Sequence, residues 1–176
     1  MEVKIPFYNI LNMFLTGLVF VGGYAMIDPD FVVDILSSDM LKTVGSFPEI
    51  LMVVGVFAAA YEIGLIINRI GSVIVGEILI RMKLISYDND YLRYNVQKKK
   101  FPIMSTLSRE YALSRTGVTL FIILTGLAVY RARMFLVWIF GFVAVVYFLS
   151  LKKYSEKIIV LMKDYSDEAS DDCKES

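Results

Sequence analysis

Residues 117–153 read GVTLFIILTGLAVYRARMFLVWIFGFVAVVYFLSLKK, two apolar runs joined by the charged turn Arg131-Ala132-Arg133. The second run, 134–151, has the length of a membrane-spanning helix, which needs about 17–25 mostly apolar residues. The first run, 117–130, reaches that length only if its helix begins near Tyr111. Arg115 then lies at the membrane boundary, from which its long side chain reaches the headgroups. The stretch therefore predicts a hairpin of two spans, 112–130 and 134–151.

Two more apolar stretches, 6–27 and 50–67, precede this hairpin and are also bounded by charges. The chain has 176 residues, 57% of them hydrophobic, whereas a soluble domain is about 45–50% apolar. The first stretch is followed by Asp-Pro-Asp, which favours a retained signal anchor over a cleaved signal peptide. We predict an all-α polytopic membrane protein, a single domain over 1–176 with four transmembrane helices and cytoplasmic helical extensions.

The basic residues predict the orientation. Lys and Arg total 18, as do Asp and Glu, so the net charge is zero. If the N-terminus is cytoplasmic, fifteen of the Lys and Arg residues lie inside, and only Lys42, Arg131 and Arg133 lie outside. Because Lys and Arg concentrate on the cytoplasmic side, both termini are expected there. The two arginines of the outer turn disagree with this trend.

The segments between and after the spans also carry information. We expect 69–111 and 152–176 to be cytoplasmic, with a disordered acidic tail at 167–176 that holds the lone Cys173 as a free thiol. The outer segment 28–48 is too apolar for a free loop. It either forms an amphipathic helix at the outer surface or packs over the bundle, and we favour the packed arrangement. The basic inner loop contains Lys98, Lys99 and Lys100. Such a run can attract anionic lipid or nucleic acid, or it can simply keep the loop on the cytoplasmic side. We favour the role in keeping the loop inside and expect no direct nucleic-acid ligand.

An acidic residue lies within the second predicted span. Glu62 must be paired, protonated or hydrated there, because an ionised carboxylate is costly inside a bilayer. Six polar residues are expected to share this leaflet: Asn9, Asn12, Glu62, Asn68, Arg69 and Arg115. Arg115 is the expected ion partner of Glu62. The cluster acts either as a polar clamp between helices, which we favour, or as an ion-coupling site.

Small or polar residues recur at every fourth position of the second span and its continuation. These are Ala60, Gly64, Asn68, Ser72 and Gly76. Such a stripe lets another helix approach closely, either within this chain or from a neighbouring copy. A helix over 49–85 would be about 55 Å long, against a hydrocarbon core of about 30 Å. Its apolar excess needs cover, from the headgroups, from the C-terminal helix or from other copies of the chain. The last of these is the main argument from the sequence for a homo-oligomer.

Catalytic patterns are missing from the sequence. The chain has no histidine, so it lacks the usual acid–base dyads and zinc sites. No glycine-rich phosphate loop follows a strand, and Asp88-Asn89-Asp90 lacks the later residues of a calcium loop. We therefore expect no enzyme activity, no catalytic residues, no metal and no cofactor.

Three functions fit these observations. The first is an oligomeric membrane sensor, anchor or effector that works with a soluble cytoplasmic partner. In layout the chain resembles the four-span membrane subunit of the Kiwa anti-phage defence system, which implies a bacterial plasma (inner) membrane protein in antiviral defence; the resemblance carries over no residues. The second is a small ion channel or proton-coupled transporter that uses Glu62. It resembles the small multidrug transporters in its four spans and intramembrane acid, although theirs lies in the first span. The third is a pore that forms on activation.

Overall fold

A computed structural model of the chain describes residues 7–30, 33, 48–81 and 102–172. The described elements are helices, and no strand occurs among these residues. In chain order they are α1 (Phe7–Ile27), α2 (Pro48–Ile70), a π-helical turn (Gly71–Val75), α3 (Gly76–Arg81), α4 (Pro102–Tyr130) and α5 (Met134–Asp172). The structure does not describe the lysine run or Cys173. Of the outer segment 28–48, it describes only residues 28–30, 33 and 48.

The prediction of four membrane spans is confirmed. Four helical segments are long and apolar enough to cross a bilayer: Phe7–Ile27, Val53–Ile78, Ile103–Tyr130 and Met134–Leu161. Within helices α1 to α5, proline occurs only at the first position of α2 and of α4. There its missing N–H costs no helical hydrogen bond and its fixed φ suits the helix. The helix interiors therefore run without interruption, and the fold is all-α.

The helices pack as two antiparallel pairs, α1 with α2 and α4 with α5. Helix α1 also lies beside α4, which joins the pairs. One apolar core contains Ile27, Leu124 and Phe140 near the turn between α4 and α5. A second contains Met104, Leu151 and Ile158 at the opposite end. We call these ends the turn end and the basic end.

The tight connection between α4 and α5 follows from a hydrogen-bonded cap. The N–H of Arg133 donates to the carbonyl of Ala128 at 2.9 Å, and the N–H of Ala132 donates to that of Val129 at 3.0 Å. Ala132 has a φ of 55°. These bonds and the left-handed residue define a Schellman motif, which satisfies the carbonyls left open at a helix end. Helix α5 can therefore start at Met134 and run back along α4.

The last two helices are longer than a bilayer requires. Helix α4 has 29 residues and α5 has 39, or about 44 and 58 Å at 1.5 Å per residue. Because the turn joins them tightly, their excess length lies at the basic end. Helix α5 continues to Asp172, whereas the sequence predicted disorder from 167. No proline or glycine interrupts 152–172, so nothing in the backbone chemistry ends the helix earlier.

Candidate functional site

Glu62 lies on the outside of the helix bundle. Glu62, Ile66 and Arg69 are all exposed, and they lie on the same side of α2. Among the described residues, Glu62 takes part in no ion pair or hydrogen bond. The expected pairing with Arg115 is not formed, because Arg115 packs on the inner side of α2. Its Cδ would lie 3.7 Å from a Cβ added to Gly76, and its guanidinium is 5.9 Å from the ring centre of Tyr111.

Asn68 faces the bundle interior instead. The hydroxyl of Thr116 lies 2.8 Å from Asn68 Oδ1 and 2.9 Å from the carbonyl oxygen of Ala112. A single hydroxyl proton serves these two acceptors. Thr116 is 2% exposed, so the bond to Asn68 is a buried polar contact between α2 and α4. It is a clamp of the kind that the sequence analysis favoured, made by a different pair of residues.

The two asparagines of α1 lie apart from both groups. Asn9 is exposed near the start of the helix, and Asn12 is half-buried. Asn12 lines a cleft of about 310 Å³ between α1, α4 and α5, together with Thr16, Gly117 and Tyr147. The Thr16 hydroxyl donates to the carbonyl of Asn12 at 2.8 Å. Glu62 and Arg69 thus lie on an exposed face, Asn68 in an interior clamp and Asn12 in a lateral cleft, while Asn9 and Arg115 belong to none of these groups.

The small-residue stripe serves contacts inside the chain along its first half. Ala60 and Gly64 are buried against α1. A Cβ added to Gly64 would lie 2.6 Å from the carbonyl carbon of Met13, so the two backbones are in direct contact. This is the close approach that small residues permit between membrane helices.

Beyond Asn68 the stripe passes through a π turn. The N–H of Gly76 bonds to the carbonyl of Gly71, five residues earlier. Each such turn holds one more residue than an α-helical turn. Gly71 is seven residues after Gly64, close to two full α-helical turns, so Gly71 takes the buried position against Thr119 and Ser72 is exposed. The extra residue of the π turn then brings Gly76 to the buried side, as the stripe predicted.

An ion pair that the sequence analysis missed closes the turn end. Arg131 donates a hydrogen bond to the carboxylate of Asp28, whose side chain is 12% exposed. The pair joins the end of α1 to the turn between α4 and α5. It also gives one of the two discordant outer arginines a local partner. The signal was available, since an acid and a base each follow a span that ends on the same side.

Among the described residues, no three side chains of His, Cys, Asp or Glu come together. Comparisons with protein-family models, curated proteins and solved structures gave no match. One exposed face of α2 contains Glu62, Ile66, Arg69 and Val73 and is here called the Glu62 face.

Proposed function

We propose that this protein is a non-enzymatic integral membrane component that assembles from several copies along the Glu62 face. The main support is that the Glu62 side chain is exposed on the outer surface of the helix bundle formed by one chain. Its depth follows from the contacts of α2 with α1, where Ala60 lies against Gly17 and Gly64 against Met13. Glu62 is therefore level with the middle of α1.

A carboxyl group at that depth needs a polar environment. Placing a charged residue at the centre of a bilayer costs about 2.5–3.5 kcal/mol or more. The glutamate side chain is too short to reach the headgroups from there. A second copy supplies the cover most simply, because its own Glu62 face brings a hydrogen-bonding carboxyl group and apolar neighbours to the same depth.

Cross-linking between copies tests the assembly. In a Cys173→Ser background, Ile66→Cys on the Glu62 face should form a disulfide between copies in membranes. Leu18→Cys, an exposed position on α1, serves as the matched control and should not cross-link. Native mass measurement in mild detergent should give a defined oligomer that Glu62→Leu weakens and Glu62→Gln retains. A monomeric wild type without Ile66→Cys cross-links would refute assembly along this face.

A channel is the second candidate, and it is supported by the same exposed carboxyl group. Glu62 does not face the interior of one bundle, so a conducting path that uses it would run between copies. Purified protein in liposomes would then pass cations or protons, and Glu62→Gln would abolish the flux while keeping the oligomer. An oligomer with no flux under a membrane potential would leave the non-conducting assembly as the function.

The proposed setting is a bacterial plasma membrane with both termini in the cytoplasm. Lys152, Lys153 and Lys157 lie at the basic end, while Asp28 locally neutralises Arg131 at the turn end. The extended α4 and α5 then offer a helical surface to a soluble partner, as suits a sensor, anchor or effector in antiviral defence. Reporter fusions at both termini test the topology. Phage challenge of cells with and without the gene tests the defence role.

A further inference from the structure

The lateral cleft that contains Asn12 lies between α1 and α5, and both of these helices pack on α4. Its volume is about 310 Å³, and its lining residues come from α1, α4 and α5. Leu15 and Val19 in the α1 wall are exposed, so the cleft opens sideways to the lipid of the membrane. The Glu62 face belongs to α2, and binding in the cleft therefore does not depend on assembly along that face.

The floor of the cleft and its α5 wall present an apolar surface. Gly117 lies in the floor, and a Cβ added to it would overlap the ring of Tyr147. That ring stacks on Phe121 with 5.7 Å between the ring centres. The Thr16 hydroxyl bonds back to a carbonyl of its own helix at 2.8 Å, so it adds no free polar group. This surface suits an apolar chain.

The contact between α4 and α5 gives the depth of the cleft. Tyr147 lies against Gly117, and the two helices are antiparallel. Leu113, four residues before Gly117, is therefore level with Leu151, four residues after Tyr147. Leu151 ends the apolar run 134–151, and two lysines follow it directly. The Leu113 end of the cleft thus lies at the hydrocarbon boundary on the side of the basic end.

Asn12 lies at this same boundary. Gly23 of α1 contacts Leu124 of α4, and both helices run towards the turn end. Asn12 is eleven residues before Gly23, as Leu113 is eleven residues before Leu124, so Asn12 and Leu113 are level. Val19 follows Asn12 by seven residues and lies about 10 Å deeper. The cleft therefore has Asn12 at its headgroup end and its apolar surface in the hydrocarbon.

Two side chains of the lining keep free hydrogen-bonding groups. Neither the Asn12 amide nor the Tyr147 hydroxyl makes a hydrogen bond among the described residues. Asn12 is half-buried, and an amide removed from water is costly without a hydrogen-bond partner. At the level of Asn12, the membrane offers the ester carbonyl that joins an acyl chain to the glycerol of a lipid.

We propose that the cleft binds a glycerophospholipid through one ester-linked acyl chain. The Asn12 amide donates a hydrogen bond to the ester carbonyl, and the chain lies between Val19 and the rings of Tyr147 and Phe121. The order of these groups along the cleft matches the order in the lipid, with the carbonyl at the boundary and the chain on its hydrocarbon side. One hydrogen bond within a membrane changes an equilibrium about three- to twentyfold.

Lipid binding by the full-length protein tests the role of the ester. The protein in neutral detergent is titrated with diester phosphatidylcholine or with its diether analogue, which has the same headgroup and chain length but no ester carbonyl. Bound lipid is counted by native mass spectrometry. The wild type should bind the diester lipid at least threefold more tightly, and Asn12→Leu should remove that preference.

Two matched variants separate Asn12 from its surroundings. Asn9 is an exposed asparagine of the same helix outside the cleft, so Asn9→Leu should keep the preference for the diester lipid. Tyr147→Phe should also keep it, because the Tyr147 ring packs about one turn deeper than Asn12. Equal binding of the two lipids by the wild type, or a preference that survives Asn12→Leu, would overturn the proposal.

A substitution that fills the cleft tests the position of the acyl chain independently of Asn12. Val19→Trp should weaken the binding of both lipids at least threefold, because the indole occupies the space of the chain. Val21→Trp, at an exposed position of α1 outside the cleft, is the control and should leave binding unchanged. Equal losses in the two tryptophan variants would overturn the proposal, as would a free fatty acid that binds as tightly as the diester lipid.

Discussion

The contact between α1 and α2 makes a sharp prediction at Gly64. A Cβ added there would overlap the carbonyl oxygen of Met13 and lie 2.6 Å from its carbonyl carbon, and a Cβ added to Gly17 would overlap the carbonyl oxygen of Ala60. Carbon atoms without a bond between them normally stay about 3.5–4.0 Å apart. Gly64→Ala therefore forces the two helices to separate by at least about 1 Å along their contact.

The expected cost is that of overpacking. Extra methyl groups in a well-packed interior destabilise proteins by about 1–3 kcal/mol. For a chain of this size, each kcal/mol lowers the melting temperature by about 2–4 °C. We therefore expect Gly64→Ala to lower the melting temperature by about 2–12 °C, measured as loss of the folded size-exclusion peak after heating in detergent.

Gly55 provides the matched control, because a Cβ added there meets no heavy atom within 4 Å. Alanine is the better helix former by about 1 kcal/mol, so Gly55→Ala should leave stability unchanged or raise it. Gly17→Ala and Gly64→Ala should couple, since helices already separated by one methyl group accept the second at lower cost. If Gly64→Ala and Gly55→Ala have the same melting temperature, the close approach of α1 and α2 is refuted.

Three further predictions use the same melting assay. Ala132→Gly should raise the melting temperature, because a left-handed conformation costs an L-residue about 1–2 kcal/mol that glycine avoids; no gain would contradict the Schellman turn. Arg131→Gln should lower the free energy of unfolding by about 1.5–3 kcal/mol, because it removes the ion pair at the end of α1. Arg133 has no ion pair among the described residues, so Arg133→Gln should lower it much less. Thr116→Val should lower the free energy of unfolding by up to about 1.7 kcal/mol, because it removes the hydrogen bond to α2. Thr106 is exposed, so Thr106→Val should leave stability nearly unchanged. Equal effects of the two substitutions would refute the stabilising role of the Thr116–Asn68 hydrogen bond.

Much of the fold was readable from the sequence because hydrophobic length is a direct consequence of bilayer thickness. The predicted span 134–151 begins at Met134, where α5 begins. The third span was harder, since its apolar core is short and polar residues precede it. Helix α4 in fact begins at Pro102, and those polar residues bond within it. Thr119, for example, donates to the carbonyl of Arg115 at 2.9 Å.

The candidate site was less readable because face assignment depends on unbroken periodicity. A stripe drawn at every fourth residue holds for Ala60 and Gly64 but fails at Ser72, because each step of four residues drifts by about 40° around an α-helix. The π turn then restores the stripe at Gly76 by adding one residue. No local residue signal distinguishes GSVIV as a π turn from an ordinary helical turn. The sequence also placed Glu62 and Arg115 in one cluster, since depth alone does not tell which side of a helix a residue occupies.

The orientation of Glu62 allows folding and assembly to be tested separately. Glu62 and Gly64 are two residues apart, or about 200° around an α-helix, so they face opposite sides of α2. Substitutions at Gly64 act on the contact with α1, while substitutions at Glu62 act on a surface that one bundle leaves uncovered. Glu62→Leu should therefore weaken the oligomer without lowering the stability of the bundle, because it removes a polar group from an apolar surface. If Glu62→Leu instead unfolds the monomer, Glu62 has a partner within the chain, and assembly along this face loses its main support.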